Sequence, residues 1–168
     1  MSMDVKTIFA SIDTHTKGGV EITGKDQASR YLFSNMFEVA SNAQPWERIV
    51  IAKNLEFTIE VTRAEGISSW YTCAHDETAL LMQGATEIHF IKPTDANYIP
   101  SDDKEGAVKL ANEPAGERMG HIVASRGHLT LMPAGSAYQF RTSSLGVILI
   151  QSALGDESIE KWAEICQH

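Results

Sequence analysis

The side chains able to do chemistry are few and poorly grouped. Six histidines occur, and no pair among them has a spacing that marks a metal site. His75 comes nearest, two residues before Glu77, where an extended segment would put both on one face. The same residues, AHDE, also read as a turn, which would leave His75 at the surface. His89 stands at an outward position among Ile88, Phe90 and Ile91, and His121 and His128 open two other strands as edge residues or as ligands. Cys73 lies on an apolar strand with no activating base, so a small buried side chain describes it better than a nucleophile. No Ser-His-Asp or Cys-His grouping supports covalent catalysis.

The elements that would hold these residues are mainly strands. From Glu47 the hydrophobic period is two: RIVIAKN and EFTIEVTRAEG alternate, with Phe57, Ile59 and Val61 on one face and Thr58, Glu60 and Thr62 on the other. This predicts half-buried antiparallel strands. ISSWYTC, TALLMQG, ATEIHFIKP, HIVAS, HLTLMP, YQFRT and LGVILIQSA supply further strands, and a Pro/Asp/Gly-rich stretch from Thr94 to Glu117 forms a surface, lid or docking loop whose VKL can add a short strand. The fold class is therefore dominated by β-structure. Residues 1–45 differ. Val5, Ile8, Phe9 and Ile12 have helical spacing from Asp4 to Ile12, VEIT at 20–23 fits a short strand, and Lys25 to Ala40 reads as an irregular, partly helical arm. The arm either packs on its own barrel or embraces a partner subunit. At the other end Asp156 can cap a helix that places Ile159, Trp162, Ala163 and Cys166 on one face. The domain plan is an arm at 1–45, a β-domain at 46–155 and a terminal helix at 156–168.

Composition narrows the partners. A chain of 168 residues suits one domain with extensions. Its 14 Lys plus Arg against 22 Asp plus Glu give a formal charge of −8 without any basic block, which argues against nucleic acid and anionic membranes as partners. Two cysteines far apart in sequence, and a start MSMDVKTIF lacking a basic or apolar leader pattern, fit a cytoplasmic protein with free thiols. No stretch approaches the length of a membrane-spanning helix.

Two spacings carry more information. Gly127, five residues, Pro133, one residue, Gly135, two residues, Tyr138, three residues, Thr142 follows the frame of the second cupin motif, and Glu77, six residues, Gly84 follows the closing half of the first. In this frame Pro133 presets a tight turn and Gly135 tolerates a positive φ. The chain resembles the cupin superfamily over roughly Trp46 to Leu154. That implies a single jelly-roll β-barrel. The resemblance also locates the family's metal positions, at Tyr71, Cys73, Glu77 and Tyr138; a register one residue longer would replace the first two by Trp70 and Thr72. Tyr138 stands where the motif has histidine and Thr142 where it has asparagine, and Gly66 lies one residue too close to Tyr71. Ferrous oxygenase sites need two imidazoles and a carboxylate on one face. Phenols titrating near pH ~10, one thiol and one carboxylate do not provide that set, so no catalytic residue and no metal site is expected here.

A narrower resemblance rests on DVKTIFASIDTHTKGGVEIT, on SRYLFSNMFEVASNAQPWERIVI and on the missing histidines. With these segments the chain is similar to the small subunit of the two-subunit hydroquinone 1,2-dioxygenases. The resemblance implies a non-catalytic chain that stabilises a larger cupin subunit. That partner would hold Fe(II) and cleave hydroquinone with O2 to 4-hydroxymuconic semialdehyde, in a heterotetramer of two small and two large chains serving aromatic-compound degradation. Trp46, Trp70 and the Pro93 to Pro114 loop are candidate contacts to the partner or the substrate channel. Two other functions stay open. One is a metal-free module binding a small phenolic ligand among Tyr71, Cys73 and Tyr138; the other is a self-sufficient cupin using His75, Glu77 and a histidine from another strand.

Overall fold

Alternating β-branched and aromatic residues from Arg48 to Ser152 form the strands that their pattern demands. The structure, a computed structural model, describes residues 10–17, 32–33, 35–54, 56–161 and 164–165. Among these are β1 (Leu32–Phe33), β2 (Arg48–Lys53), β3 (Thr58–Ile67), β4 (Trp70–Thr72), β5 (Glu77–Gln83), β6 (Ala85–Pro93), β7 (Val108–Leu110), β8 (Gly116–Ser125), β9 (Leu129–Met132), β10 (Ala137–Ser152) and β11 (Ser158–Ile159), with a helix α1 (Met36–Asn42). The 16-residue β10 is the centre of the topology. Its second half pairs with β3 and β5, while its first half pairs with β4, with β6 and, at Arg141 and Thr142, with the end of β3. A register shift between Thr142 and Gly146 divides the halves. One strand thus belongs to two sheets, β1-β2-β3-β10-β5-β9 and β7-β4-β10-β6-β8, which curl round a shared core as a jelly roll.

Two buried layers result. Tyr138, Phe140, Ile148 and Ile150 of β10 meet Ala79, Leu81, Ile88, Phe90 and Ala64 inside the barrel. Ile49, Ile51, Val61 and Val147 point the other way and are covered by Ile12 and by Phe37, Val39 and Ala40 of α1. The expected orientation of β3 is therefore corrected. Thr58, Glu60 and Thr62 are buried like Val61, because the arm covers the face that would otherwise meet water and the polar positions turn inward beside Ala64.

The arm is fastened by polar contacts as well. Asn35 caps α1 by accepting from the Phe37 and Glu38 amides at 3.1 and 3.3 Å, and its own amide donates to the Thr16 carbonyl at 2.6 Å. The Ile12 amide donates to Gln83 of β5 at 2.9 Å. Its described part thus packs on its own barrel. The expected helix from Asp4 to Ile12 and the strand at 20–23 lie outside the described residues except for Ala10 to Ile12, which are not helical. The terminal helix does not begin at Asp156. Ser158–Ile159 form β11, parallel to β2, and Asp156 pairs with Lys104 rather than capping; Trp162, Ala163 and Cys166 lie outside the described residues. The expected strand at VKL is present as β7, paired with β4.

Phe37 is the largest side chain that α1 buries. Phe37→Ala should cost about 3 to 5 kcal/mol, read as a lower urea midpoint with an unchanged m-value.

Candidate functional site

The two motif halves meet at one turn. Pro133 accepts from the Ser136 amide and hydroxyl at 3.2 and 2.7 Å, and Gly135 has φ of 73°, the left-handed conformation that glycine tolerates. Asp76, just before β5, accepts from the Ala134 amide at 2.8 Å. This clamp sets where β5 and β10 begin, and strand alternation then turns Glu77 and Tyr138 into the barrel. Gly84 ends the first motif at φ 82°, and a Cβ there would lie 3.0 Å from the Gly146 Cα and the Leu145 carbonyl oxygen.

Tyr71, Cys73, Glu77 and Tyr138 are all buried. Tyr71 pairs with Tyr138 across β4 and β10, with ring centroids 5.8 Å apart. Cys73 is turned aside and donates to the Gly106 carbonyl at 3.3 Å. At the centre of the group stands Arg48. Its Nη2 donates to Glu77 at 2.7 Å, its Nε to Glu60 at 2.5 Å and its Nη1 to the Tyr138 hydroxyl at 3.2 Å. The Tyr138 hydroxyl donates in turn to the other Glu77 oxygen, and the Ser158 hydroxyl donates to Glu60. One guanidinium is shared by two carboxylates and a phenol.

The electrostatics follow from this arrangement. Burial opposes the Arg48 charge, but Tyr138, Glu77 and Glu60 outweigh it and hold the guanidinium ionised. Burial likewise pushes the Glu77 carboxyl up, and Arg48 with its hydrogen bonds brings the net value below the ordinary range. Burial, then the Glu77 charge, lifts Tyr138 well above an ordinary phenol. Burial moves Tyr71 up to about 12 and Cys73 up to about 11. All three stay protonated at neutral pH.

Arg48 and Glu60 were not anticipated from sequence. Alternation places Glu60 with Thr58 and Thr62 opposite the apolar face, and Arg48 merely begins the RIVIAKN strand. The usable signal was their opposite charge on strands joined by a hairpin, where the pairing Val50↔Glu60 brings Arg48 diagonally beside Glu60.

Comparison with solved structures gives the chain its relatives. A chain of hydroquinone 1,2-dioxygenase PnpCD, crystallised with Cd2+ and 4-hydroxybenzonitrile, is 44% identical over 100% of both chains with a TM-score of 0.83. A chain of the hydroquinone 1,2-dioxygenase from Sphingomonas sp. TTNP3, crystallised with 4-hydroxybenzoate bound, is 46% identical over 98% of both, TM-score 0.85. The chain belongs to the hydroquinone 1,2-dioxygenase family of cupins. PnpCD in complex with Fe3+ offers a second match, 14% identical with a TM-score of 0.55, over 82% of this chain and 37% of the other, which shows the shared fold alone. No family model and no curated protein matches the chain.

The donors at the barrel centre do not fit a ferrous ion. Glu77 is committed to Arg48 and Tyr138; two phenols and a thiol hold their protons; and among the described residues no group of three His, Cys, Asp or Glu could hold a metal. His75 lies in the bend before β5 with Nδ1 against the Asp76 carbonyl at 2.9 Å, so the extended segment that would align it with Glu77 is not formed. His128 accepts from the Ser125 amide, and His89 stacks on His121 on the outer face. Trp46 packs against the interior cluster, stacked on Phe140 at 5.8 Å, and Trp70 packs with Ile91 and Ala137. The cavity beneath Leu81, Ile88 and Ile148 is about 10 Å³, room for one water and not for a phenol.

Removing the cation leaves two buried carboxylates without it. Arg48→Met should cost about 3 to 5 kcal/mol, and Arg48→Met combined with Glu60→Gln and Glu77→Gln should recover part of that loss in thermal melts. Acid provides a second test. Glu77 titrates lower in the folded than in the unfolded chain, so its contribution is complete above the unfolded carboxylate pKa of about 4.3 and is lost as the pH falls through the folded value. Urea melts across that window should show a shallower acid loss for Glu77→Gln than for the wild type.

Proposed function

We propose that the chain is the non-catalytic small subunit of an Fe(II)-dependent hydroquinone 1,2-dioxygenase. It carries no iron of its own and works in the cytoplasm, in a heterotetramer of two small and two larger cupin chains. The larger chain holds Fe(II), which supplies the oxygen chemistry that opens hydroquinone beside a hydroxylated carbon to 4-hydroxymuconic semialdehyde. This chain stabilises that barrel. The observation that carries the reading is Arg48, whose guanidinium engages Glu77 and Tyr138 where the motif would assemble a metal site. A second support is that PnpCD contains two kinds of chain with this fold: one matches this chain end to end, and the other, of which the match covers only 37%, is more than twice its length.

The test is expression of the chain alone and together with a larger cupin chain encoded beside it. The isolated chain should bind no stoichiometric iron after anaerobic reconstitution and show no hydroquinone-dependent oxygen uptake, while the co-expressed complex should do both. One tightly held metal per isolated chain would support the self-sufficient cupin instead. In the assembled enzyme Glu77→Gln should leave turnover within about an order of magnitude, far less than loss of a metal ligand costs. Tyr138→Phe should be equally mild in rate and cost about 1 to 3 kcal/mol in stability. Abolished turnover in a folded variant of either kind would contradict the assignment.

A further inference from the structure

Sheet pairing brings an unusual set of side chains together on the outer face of the second sheet, opposite the barrel interior. Ile67, Arg141, Glu87 and Val123 are directly paired across β3, β10, β6 and β8, and Gln139, His89 and His121 form the next row. Paired residues of antiparallel strands share a face. The ends of the first row are apolar and wet, Ile67 at 66% and Val123 at 63% exposure, and Met119 at 54% stands at the bulge of β8. Among the described residues β8 pairs only with β6, so its other edge is free. Two depressions of about 400 and 180 Å³ open on this face, and Arg141 lines both.

The centre of the face is built to receive an anion. Gln139, only 8% exposed, donates to the Ser68 carbonyl at 3.0 Å and accepts from Arg141 Nε at 2.8 Å. Both ends of the amide are thereby used, and the two terminal nitrogens of Arg141, beside Glu87 in the same row, make no hydrogen bond among the described residues. The smaller depression is completed by Arg118, His121 and Trp70. Trp70 is 6% exposed. Cationic, aromatic and apolar groups thus lie side by side, the composition of an interface centre.

We infer that this face docks the larger subunit, which sets a carboxylate side chain against Arg141 and apolar side chains over Ile67 and Val123. The inference rests on the small-subunit reading above and names the surface it leaves unspecified. The occupant comes from that reading, since the solved relative PnpCD has a second chain more than twice the length of this one. The inference adds a sheet face to the arm as a partner contact, the arm's described residues being used on their own barrel.

The test titrates four chains against the larger subunit: wild type, Arg141→Glu, Val123→Lys, and the pair Leu129→Ser with Leu131→Ser on the outer face of the other sheet. Melting of each isolated chain is measured alongside. Arg141→Glu and Val123→Lys should weaken association at least about tenfold without lowering the melting temperature, and the leucine pair should bind as wild type does. Equal binding by wild type and both face variants overturns the inference. So does loss of binding confined to the leucine pair, or a large drop in melting temperature for both face variants, which would assign the face to the chain's own fold. If only Arg141→Glu unfolds, Val123→Lys decides, because its side chain already stands in water. A wild-type chain that binds no larger subunit overturns the small-subunit reading itself, and this inference with it.

Discussion

A guanidinium removed from water must be surrounded by anions, and Arg48 imposes that requirement on the whole barrel. Its three hydrogen-bonded partners come from three different strands, Glu60 on β3, Glu77 on β5 and Tyr138 on β10, while Arg48 itself stands on β2. Ser158 adds β11 through Glu60. An ion pair of this kind contributes little net stability compared with an apolar core of equal volume, because desolvation of the charges offsets most of their attraction. Its geometry is what matters: five strands are tied to one cation at fixed distances, and a slip of any one by a residue would strand a charge in the interior.

The same constraint explains why the space around Arg48 is occupied. A metal centre that accepts substrate and dioxygen needs open positions beside the ion. Here the centre is closed by directed donors, and the surrounding space is taken by Tyr71, Phe140 and Trp46. Trp46 enters with a positive φ of 64°, a conformation that costs a bulky residue about 1 to 3 kcal/mol. Its amide bonded to the Arg63 carbonyl at 2.9 Å and its ring stacked on Phe140 hold it there.

Much of this was legible in the chain, and the exceptions have physical causes. The Pro133 to Gly135 turn, the strand run from Glu47, the short strand at VKL and the inward aim of Glu77 and Tyr138 follow from spacing and period, which are local properties. The facing of Glu60 was not local. Alternation says which residues share a side of a strand, but not which side is the interior once α1 and Ile12 cover the outer one. For the same reason Arg48 could not be recognised as central, since a strand-initial arginine usually points to water. Ile159 has helical spacing with Trp162, yet Ser158–Ile159 join β2 as a strand, because an unpaired edge beside Arg48 offers hydrogen bonds that a first helical turn would leave unused.

The long strand β10 has a further consequence for how the protein comes into being. It is the partner of β3, β4, β5 and β6, yet it lies near the end of the chain and leaves the ribosome after all of them. Until Ser152 has emerged, those four strands carry edges with nothing to pair against, and among the described strands only the pairs β1–β2, β2–β3, β4–β7, β5–β9 and β6–β8 can close. Non-local pairing of this kind is slow and exposes apolar strands while it waits. Synthesis therefore passes through a long interval in which the nascent barrel is an open set of ribbons, and its closure is a single late event set by the last large strand to arrive.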